Sequence, residues 1–277
     1  MEIIRTIDEL RARLADEKNV CCVPTMGNIH DGHLSLVKIA TREAPVALTT
    51  IFVNRLQFGQ GEDFERYPRT FEEDCAKLEA AGNNIVFAPD EGQMYPEPQA
   101  FFVDPPKVAN KLEGRFRKGH FRGVCTVVAK LFNVVQPQSA VFGKKDYQQL
   151  AIIRYMVDQF ALPIRIIPAK TVRADDGLAL SSRNRYLSED ERKEAPRLRQ
   201  AMLQMRDAIL GGDRTFVAME YGAGALLARY GWNVDYVVVR TQIGLRRPGP
   251  DDKDLVILGA ATLGGTRLID NLEVDAP

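Results

Sequence analysis

Val20-Cys21-Cys22-Val23-Pro24-Thr25-Met26-Gly27-Asn28-Ile29-His30-Asp31-Gly32-His33 begins as a short, β-prone apolar run and leads into a segment with Leu34 and Val37 at helix-like offsets. A strand feeding a helix is the building unit of α/β folds. Between the two, Pro24, Gly27, Gly32 and the short Thr25, Asn28 and Asp31 let the backbone turn tightly and come close to a ligand. Unpaired N–H groups and the macrodipole at the start of the helix favour an anion. Neutral imidazoles placed there, His30 and His33, donate to phosphate oxygens without first gaining a proton. Taken alone, the pair reads more often as a helix cap with surface histidines, and less often as a His-x-x-His metal pair. No clear second cluster of Cys, His and carboxylate residues accompanies it, and a closed zinc site takes about four ligands. No metal site is expected.

Working outward, strand-like runs at 20–23, 46–53, 85–88, 139–142 and 164–168 alternate with helix-like stretches at 33–43, 70–81, 121–135 and 146–160. This alternation predicts an α/β fold, a parallel sheet wrapped by helices, with ligands at the C-terminal ends of the strands. The chemically suggestive segments 24–33, 54–58 and 143–149 fall at those ends. From about Thr171 the pattern changes: a polar loop at 173–177, helix-like 188–211 and 215–229, then strand-like 232–240, 255–262 and 266–270. The expectation is a first domain over 1–171 and a second, smaller α+β domain over 172–277.

The chain has 277 residues, 45% of them hydrophobic, enough for a sizeable core. Lys+Arg and Asp+Glu balance at 37 each, so nothing draws the whole molecule to nucleic acid or to anionic membranes. Met1 to Glu9 is charged too early for a signal peptide, and no run approaches about 20 apolar residues, which predicts a cytoplasmic protein without a membrane partner. The four cysteines, Cys21, Cys22, Cys75 and Cys125, form no CxxC pattern and read as reduced core thiols.

Three further segments carry polar chemistry. Gly143-Lys144-Lys145-Asp146 follows a strand and reads equally well as an anion clamp or as a helix cap with solvated lysines. Leu180-Ser181-Ser182-Arg183 joins hydroxyls to a guanidinium that forks onto phosphate oxygens, while Ser188 with Glu191 forms a purely structural capping box. Asn54 and Gln57 end the second strand; such amides orient a small polar substrate or satisfy nearby backbone, and on its own the segment favours the latter. The basic turn Arg115 to Gly123, with Arg117 and His120, offers local attraction to an anion, although a solvated charge cluster is the commoner explanation.

Together these segments closely resemble the pantothenate synthetase (pantoate–β-alanine ligase) family. Pro-Thr-Met-Gly leading to His-x-Gly-His stands at 24–33, Phe-Val-Asn-x-x-Gln-Phe at 52–58, Tyr-Pro-Arg-Thr at 67–70, Gly-His-Phe-x-Gly-Val at 119–124, Gly-x-Lys-Asp-Tyr-Gln-Gln-Leu at 143–150 and Ser-Ser-Arg-Asn-x-Tyr-Leu at 181–187. The first and last are also similar to the ATP signatures of nucleotidyltransferases and class I aminoacyl-tRNA synthetases. The resemblance implies a Rossmann-like first domain, a small C-terminal lid domain and a cytoplasmic homodimer. It implies ATP and Mg²⁺ as partners of the reaction, with pantoate and β-alanine condensed through a pantoyl adenylate.

On the matching positions, the resemblance assigns catalytic roles to His33, His30, Lys145 and Arg183. It assigns ATP binding to Met26, Gly27, Asn28, Ile29, His30, Asp31, Gly32, His33, Gly143, Lys144, Lys145, Asp146, Val172, Leu180, Ser181, Ser182 and Arg183. Gln57 and Gln149 match pantoate-binding glutamines, and Asn54, His120 and Arg117 complete the expected substrate-binding set. The family usually carries Pro at Arg55, Glu at Lys144, Pro at Lys118, Gly at Arg185 and Asp at Gln138, so all five differences make this chain locally more positive. If the backbone at Arg185 needs φ > 0, losing the glycine costs about 1 kcal/mol. The alternatives are a nucleotidyltransferase acting on another small acceptor, which releases pyrophosphate without an amine, and a silent nucleotide-binding homologue, which binds ATP without turnover.

Overall fold

The computed structural model describes residues 1–59, 61–62 and 64–277. The elements run β1 (Glu2–Ile4), α1 (Ile7–Leu14), β2 (Val20–Thr25), α2 (Asp31–Glu43), β3 (Val46–Ile51), α3 (Phe71–Ala80), β4 (Ile85–Phe87), the short α4 (Glu91–Met94) and α5 (Glu113–Phe116), α6 (His120–Val135), β5 (Ser139–Gly143), α7 (Tyr147–Gln159) and β6 (Arg165–Ala169). They continue with α8 (Glu189–Glu194), α9 (Arg197–Leu210), α10 (Phe216–Arg229), β7 (Trp232–Thr241), β8 (Asp254–Leu263) and β9 (Thr266–Asp275). The chain divides into two compact units, one of Met1–Lys144 with Ile152–Lys170, the other of Lys145–Ala151 with Thr171–Pro277.

The first unit holds a six-stranded sheet in the order β1-β4-β3-β2-β5-β6, every pair parallel. From β2 the chain steps outward through β3 to β4 on one side, and later through β5 to β6 on the other. The strand order therefore reverses between β2 and β5, the switch point where open α/β sheets take their ligands. Cys21 pairs with Ser139 and Cys22 with Ala140, and from these pairs both strands run on in the same direction, to Thr25 and Gly143.

One face of this sheet presents Cys21, Val23, Ala47, Val86 and Val141 to Leu36, Val37 and Ala40 of α2 and to Cys75 and Leu78 of α3. Helices α1 and α6 pack together, and α6 also packs on β2. Strands with both faces covered are expected to read as continuous apolar runs, as Val20 to Val23 does. All four cysteines are buried free thiols, and burial raises the pKa of each.

The second unit is an antiparallel sheet, β7-β8-β9, with α9 and α10 packed on it. Leu198, Met202, Met205 and Ile209 of α9 and Leu227 of α10 meet Trp232, Val239, Leu255 and Ile257 in its core. The fold is thus a Rossmann-like parallel α/β sheet with a smaller α+β unit.

Several boundaries differ from the sequence reading. The single helix expected over 188–211 is two, α8 and α9, interrupted at Ala195-Pro196, because proline supplies no N–H to the preceding turn and its ring clashes with it. The strand expected to reach 53 stops at Ile51, after which Asn54 caps a 3₁₀ turn, Arg55–Gln57. The last strand runs on to Asp275. β1 and α1 are additions to the expected elements: three residues are too few to show a period, although Thr6 accepts from Glu9 N as a helix cap should. Among the described residues no helix is long and apolar enough to cross a membrane.

Candidate active site

The switch-point loop of the first unit is built by side chains that consume its backbone. At the end of β2, the Thr25 hydroxyl donates to Thr50 O (2.6 Å) and accepts from Gly27 N (3.2 Å). Gly27 (φ 83°) and Asn28 (φ 52°) both lie in the left-handed region, and the turn they make points two successive amides the same way. Those amides, Asn28 N and Ile29 N, donate to the two oxygens of Asp74, at 2.8 and 2.7 Å. His30 then caps α2. Its Nδ1 accepts from Gly32 N (3.1 Å), and His33 Nδ1 accepts in turn from His30 N (3.4 Å).

This corrects one expectation: the amides of Gly27, Asn28, Ile29, His30 and Gly32 each have an internal acceptor, so the loop is not a cradle of unpaired N–H groups. What it offers an anion is imidazole. A ring that accepts at Nδ1 carries its hydrogen on Nε2, so both histidines are held in the tautomer that donates from Nε2. Their rings lie side by side, centroids 4.0 Å apart and tilted by 32°.

Beyond β3, Asn54 and Gln57 are buried, and the structure brings them together. Asn54 Nδ2 donates to Gln57 Oε1 (3.1 Å) and to Gly123 O (3.2 Å), while its Oδ1 accepts from Tyr95 OH (2.8 Å) and Leu56 N. Gln57 Nε2 reaches Met26 Sδ at 2.9 Å, tying this site to the histidine loop. His120 donates from Nδ1 to Gln57 O (2.8 Å), so its Nε2 is the acceptor for Arg117 Nη1 at 3.0 Å. Burial and then the neighbouring Arg117 push the His120 pKa down to about 4. Arg117 forks onto Glu62, at 2.8 and 2.7 Å. Burial alone raises the Glu62 carboxyl, but the Arg117 bonds and charge outweigh it and hold the group below its ordinary value. Asn54, Arg117 and His120 therefore make one chain of bonds whose object is Gln57.

In the second unit, β9 organises two segments. Asn271 Nδ2 donates to Lys145 O (2.9 Å) and Tyr147 OH to Glu273 (3.0 Å), which holds the Lys145–Tyr147 turn. Lys145 Nζ stands 3.7 Å from Asp146, and Gln149 is half-buried in the following turn of α7. Arg173 forks onto buried Asp270 at 2.7 and 2.8 Å. Arg173 also bridges Ala179, and Leu180 N donates to Val172 O (3.0 Å), so Val172 and Leu180 sit opposite each other on a narrow hairpin. That hairpin delivers Ser181, whose hydroxyl accepts from Arg183 N and caps the 3₁₀ turn Ser182–Tyr186. Ser188 and Glu191 make the expected capping box.

The five unusual residues separate by place. Arg55 is turned to solvent, pairing with Glu91 (3.2 Å) and Glu65 (3.5 Å) and stacking on Phe64. Gln138 Oε1 accepts from Val20 N (2.7 Å) at the opposite end of β2 from the histidines, a task for any acceptor oxygen. Arg185 lies within the 3₁₀ turn and is not among the residues with positive φ, so no glycine is needed there. Lys118 is exposed and Lys144 half-buried.

The residues missed from sequence are Asp74, Glu62, Gly123 and Asp270. Each acts on a segment 45 or more residues away; the sequence marked Gly123 only as part of the 119–124 motif, and Asp270 only as a carboxylate following Leu268 and Ile269 in a strand-like run.

A doubly wound parallel sheet, with a glycine-containing turn and paired histidines at its switch point, places the chain among α/β proteins that take a ligand at the C-terminal ends of their strands. Comparison with known proteins narrows the class. The pantoate-beta-alanine ligase family profile matches residues 2–273. The chain is 57% identical over 274 residues to a pantothenate synthetase of Nitrosospira multiformis, covering 99% of this chain and 98% of that protein. It is 56% identical over 277 residues to one of Nitrosomonas europaea, covering all of both. Among solved structures, pantothenate synthetase of Thermus thermophilus superposes with a TM-score of 0.95 at 43% identity, covering 100% of each chain. The pantoate-beta-alanine ligase of Francisella tularensis, complexed with beta-gamma ATP and beta-alanine, superposes with a TM-score of 0.82 at 30% identity, covering 99% of this chain and 97% of that one. The chain belongs to the pantoate–β-alanine ligase family.

Proposed function

We infer that the chain joins pantoate to β-alanine at the expense of ATP, and we propose the division of labour among its residues. Family membership across residues 2–273 carries the reaction. In the first half, a pantoate carboxylate oxygen bonds to the α-phosphorus of ATP as the bond to the bridging oxygen breaks, releasing pyrophosphate and leaving pantoyl adenylate. In the second half, the β-alanine amine bonds to the activated carbonyl, AMP departs with the C–O bond electrons, and the amine loses a proton. Both nucleophiles belong to substrates, so the protein's work is positioning and charge stabilisation.

The Nε2 hydrogens of His30 and His33 are the donors for the triphosphate as its charge shifts towards pyrophosphate. Support comes from the Nδ1 bonds that fix both tautomers. Met26 to Gly32 and Gly143 to Asp146 line the nucleotide. Lys145, Ser181, Ser182 and Arg183 offset phosphate charge, with Val172 and Leu180 as further ATP-site positions. Gln57 and Gln149 bind pantoate; Asn54, Arg117 and His120 serve by holding Gln57. Mg²⁺ accompanies ATP, carried mostly on phosphate oxygens and water and not in a dedicated protein cage. The enzyme works in the cytoplasm as a homodimer, and the exposed Phe101 on an extended segment of the first unit is a candidate contact.

The test is pyrophosphate release from MgATP and pantoate, with and without β-alanine, alongside mass detection of pantothenate. Amide that requires both acids supports the proposal. Pyrophosphate without amide assigns the chain another acceptor, and ATP binding without pyrophosphate makes it catalytically silent.

A further inference from the structure

Helix α3 and the Thr70 that precedes it turn one edge towards the histidine loop, with Thr70, Asp74 and Lys77 at helical spacing. Asp74 is 1% exposed. Its two oxygens take Asn28 N and Ile29 N, and Thr70 Oγ1 donates to Oδ1 at 3.1 Å. Lys77 Nζ donates to Ile29 O at 3.0 Å, so the residue before His30 is gripped through both its N–H and its C=O. Gly27 completes the fit, since a Cβ there would lie 3.0 Å from Asp74 Oδ2 and 3.2 Å from Ile51 Cγ2. Consecutive amides in such a turn ordinarily form an anion nest, and here a buried carboxylate of the protein fills it.

We propose that Asp74 is a positioning residue for adenylate formation. It occupies the backbone nest in place of a phosphate and fixes the 27–29 turn so that His30 and His33 meet the triphosphate through Nε2. This rests on the assignment of the triphosphate to these histidines. A carboxylate is required because both partners are donors: an asparagine has the same size but turns an NH₂ group against one of the two amides. Displacements of about 1 Å at a reacting group lower rates by up to roughly a hundredfold, so the effect belongs to the half-reaction in which the triphosphate breaks. The second half-reaction, which begins after pyrophosphate has left, does not depend on it.

The experiment uses the full chain and measures the two half-reactions separately. Pyrophosphate formation from MgATP and pantoate is followed in a single turnover, and pantothenate formation is followed from preformed pantoyl adenylate and β-alanine. Asp74→Asn is expected to slow the first by about tenfold or more and to leave the second within about twofold. Thr70→Val, which removes one support of Asp74 without opposing donor to donor, shifts the first half-reaction the same way by a smaller factor and carries the test if Asp74→Asn does not fold. His33→Ala is run in parallel. Equal losses in both half-reactions would make Asp74 a merely structural residue and overturn the proposal. Loss in His33→Ala with none in the α3 variants would overturn it while leaving the histidine assignment intact, and no loss in any variant would remove both.

Discussion

Gly123 lies inside α6, where alanine is ordinarily the better residue by about 1 kcal/mol. Local propensity therefore predicts that Gly123→Ala stabilises the protein. The packing predicts the reverse, because the new Cβ would stand 2.1 Å from Leu56 O, 2.3 Å from Leu56 C and 2.6 Å from Gln57 N. Carbon contacts settle at about 3.5 Å or more, so the 55–57 turn must retreat by roughly 1 Å, and all three opposing atoms are backbone. Overpacking costs about 1–3 kcal/mol. The retreat also stretches Asn54 Nδ2 to Gly123 O and His120 Nδ1 to Gln57 O, each contributing about 1 kcal/mol. After subtracting the helical gain, the net loss is about 2–4 kcal/mol, a fall in melting temperature of roughly 5–15 °C for a unit of this size. Under the proposed role of Gln57, the pantoate KM rises by about tenfold or more. Calorimetry and initial rates at saturating ATP measure both. A variant that melts at or above the parent temperature with an unchanged pantoate KM would refute the reasoning.

Other outcomes follow from the same structure. The His120 pKa is lowered on folding from 6.5 to about 4, so the native state binds fewer protons than the unfolded state between those values. The stability contributed by a neutral His120 is therefore constant above pH 6.5 and is lost as the pH drops towards 4, and urea midpoints of the parent and His120→Asn should converge across that window. Asp270→Asn removes one partner of a largely buried ion pair and should cost about 3 kcal/mol, read as a lower melting temperature of the second unit together with a raised ATP KM. Arg55→Ala is expected to change the ATP KM by less than about twofold at both low and high salt, since Arg55 is exposed and faces Glu65 and Glu91; a steep change in the salt dependence would place its charge in the nucleotide's field.

Much of the fold is legible in the sequence because its signals are local. The apolar run at Val20–Val23, the turn residues that follow, and the spacing of Leu34 and Val37 lie within one strand and one helix, and repetition of that pattern defines a parallel sheet. The Ser188–Glu191 capping box is equally local. The helix expected over 188–211 divides because Pro196 outweighs the apolar periodicity that runs through it. β1 escapes sequence reading because a three-residue strand on an edge takes its stability from β4 and not from its own pattern.

The candidate site divides along the same line. Sequence alone determined which residue types stand in the motifs, His30, His33, Gln57, Lys145, Ser181 and Arg183, because those motifs are short and adjoin apolar runs. Only the tertiary structure decided how they are held. Asp74 meets Asn28 and Ile29 across 46 and 45 residues, Asn54 meets Gly123 across 69, and Arg173 meets Asp270 across 97. The same is true of the tautomers of His30 and His33, the burial that keeps His120 neutral, and the outward turn of Arg55. A motif records the chemistry a segment carries, whereas orientation, protonation and backbone satisfaction depend on which distant groups fill the space around it, and chain closure settles that.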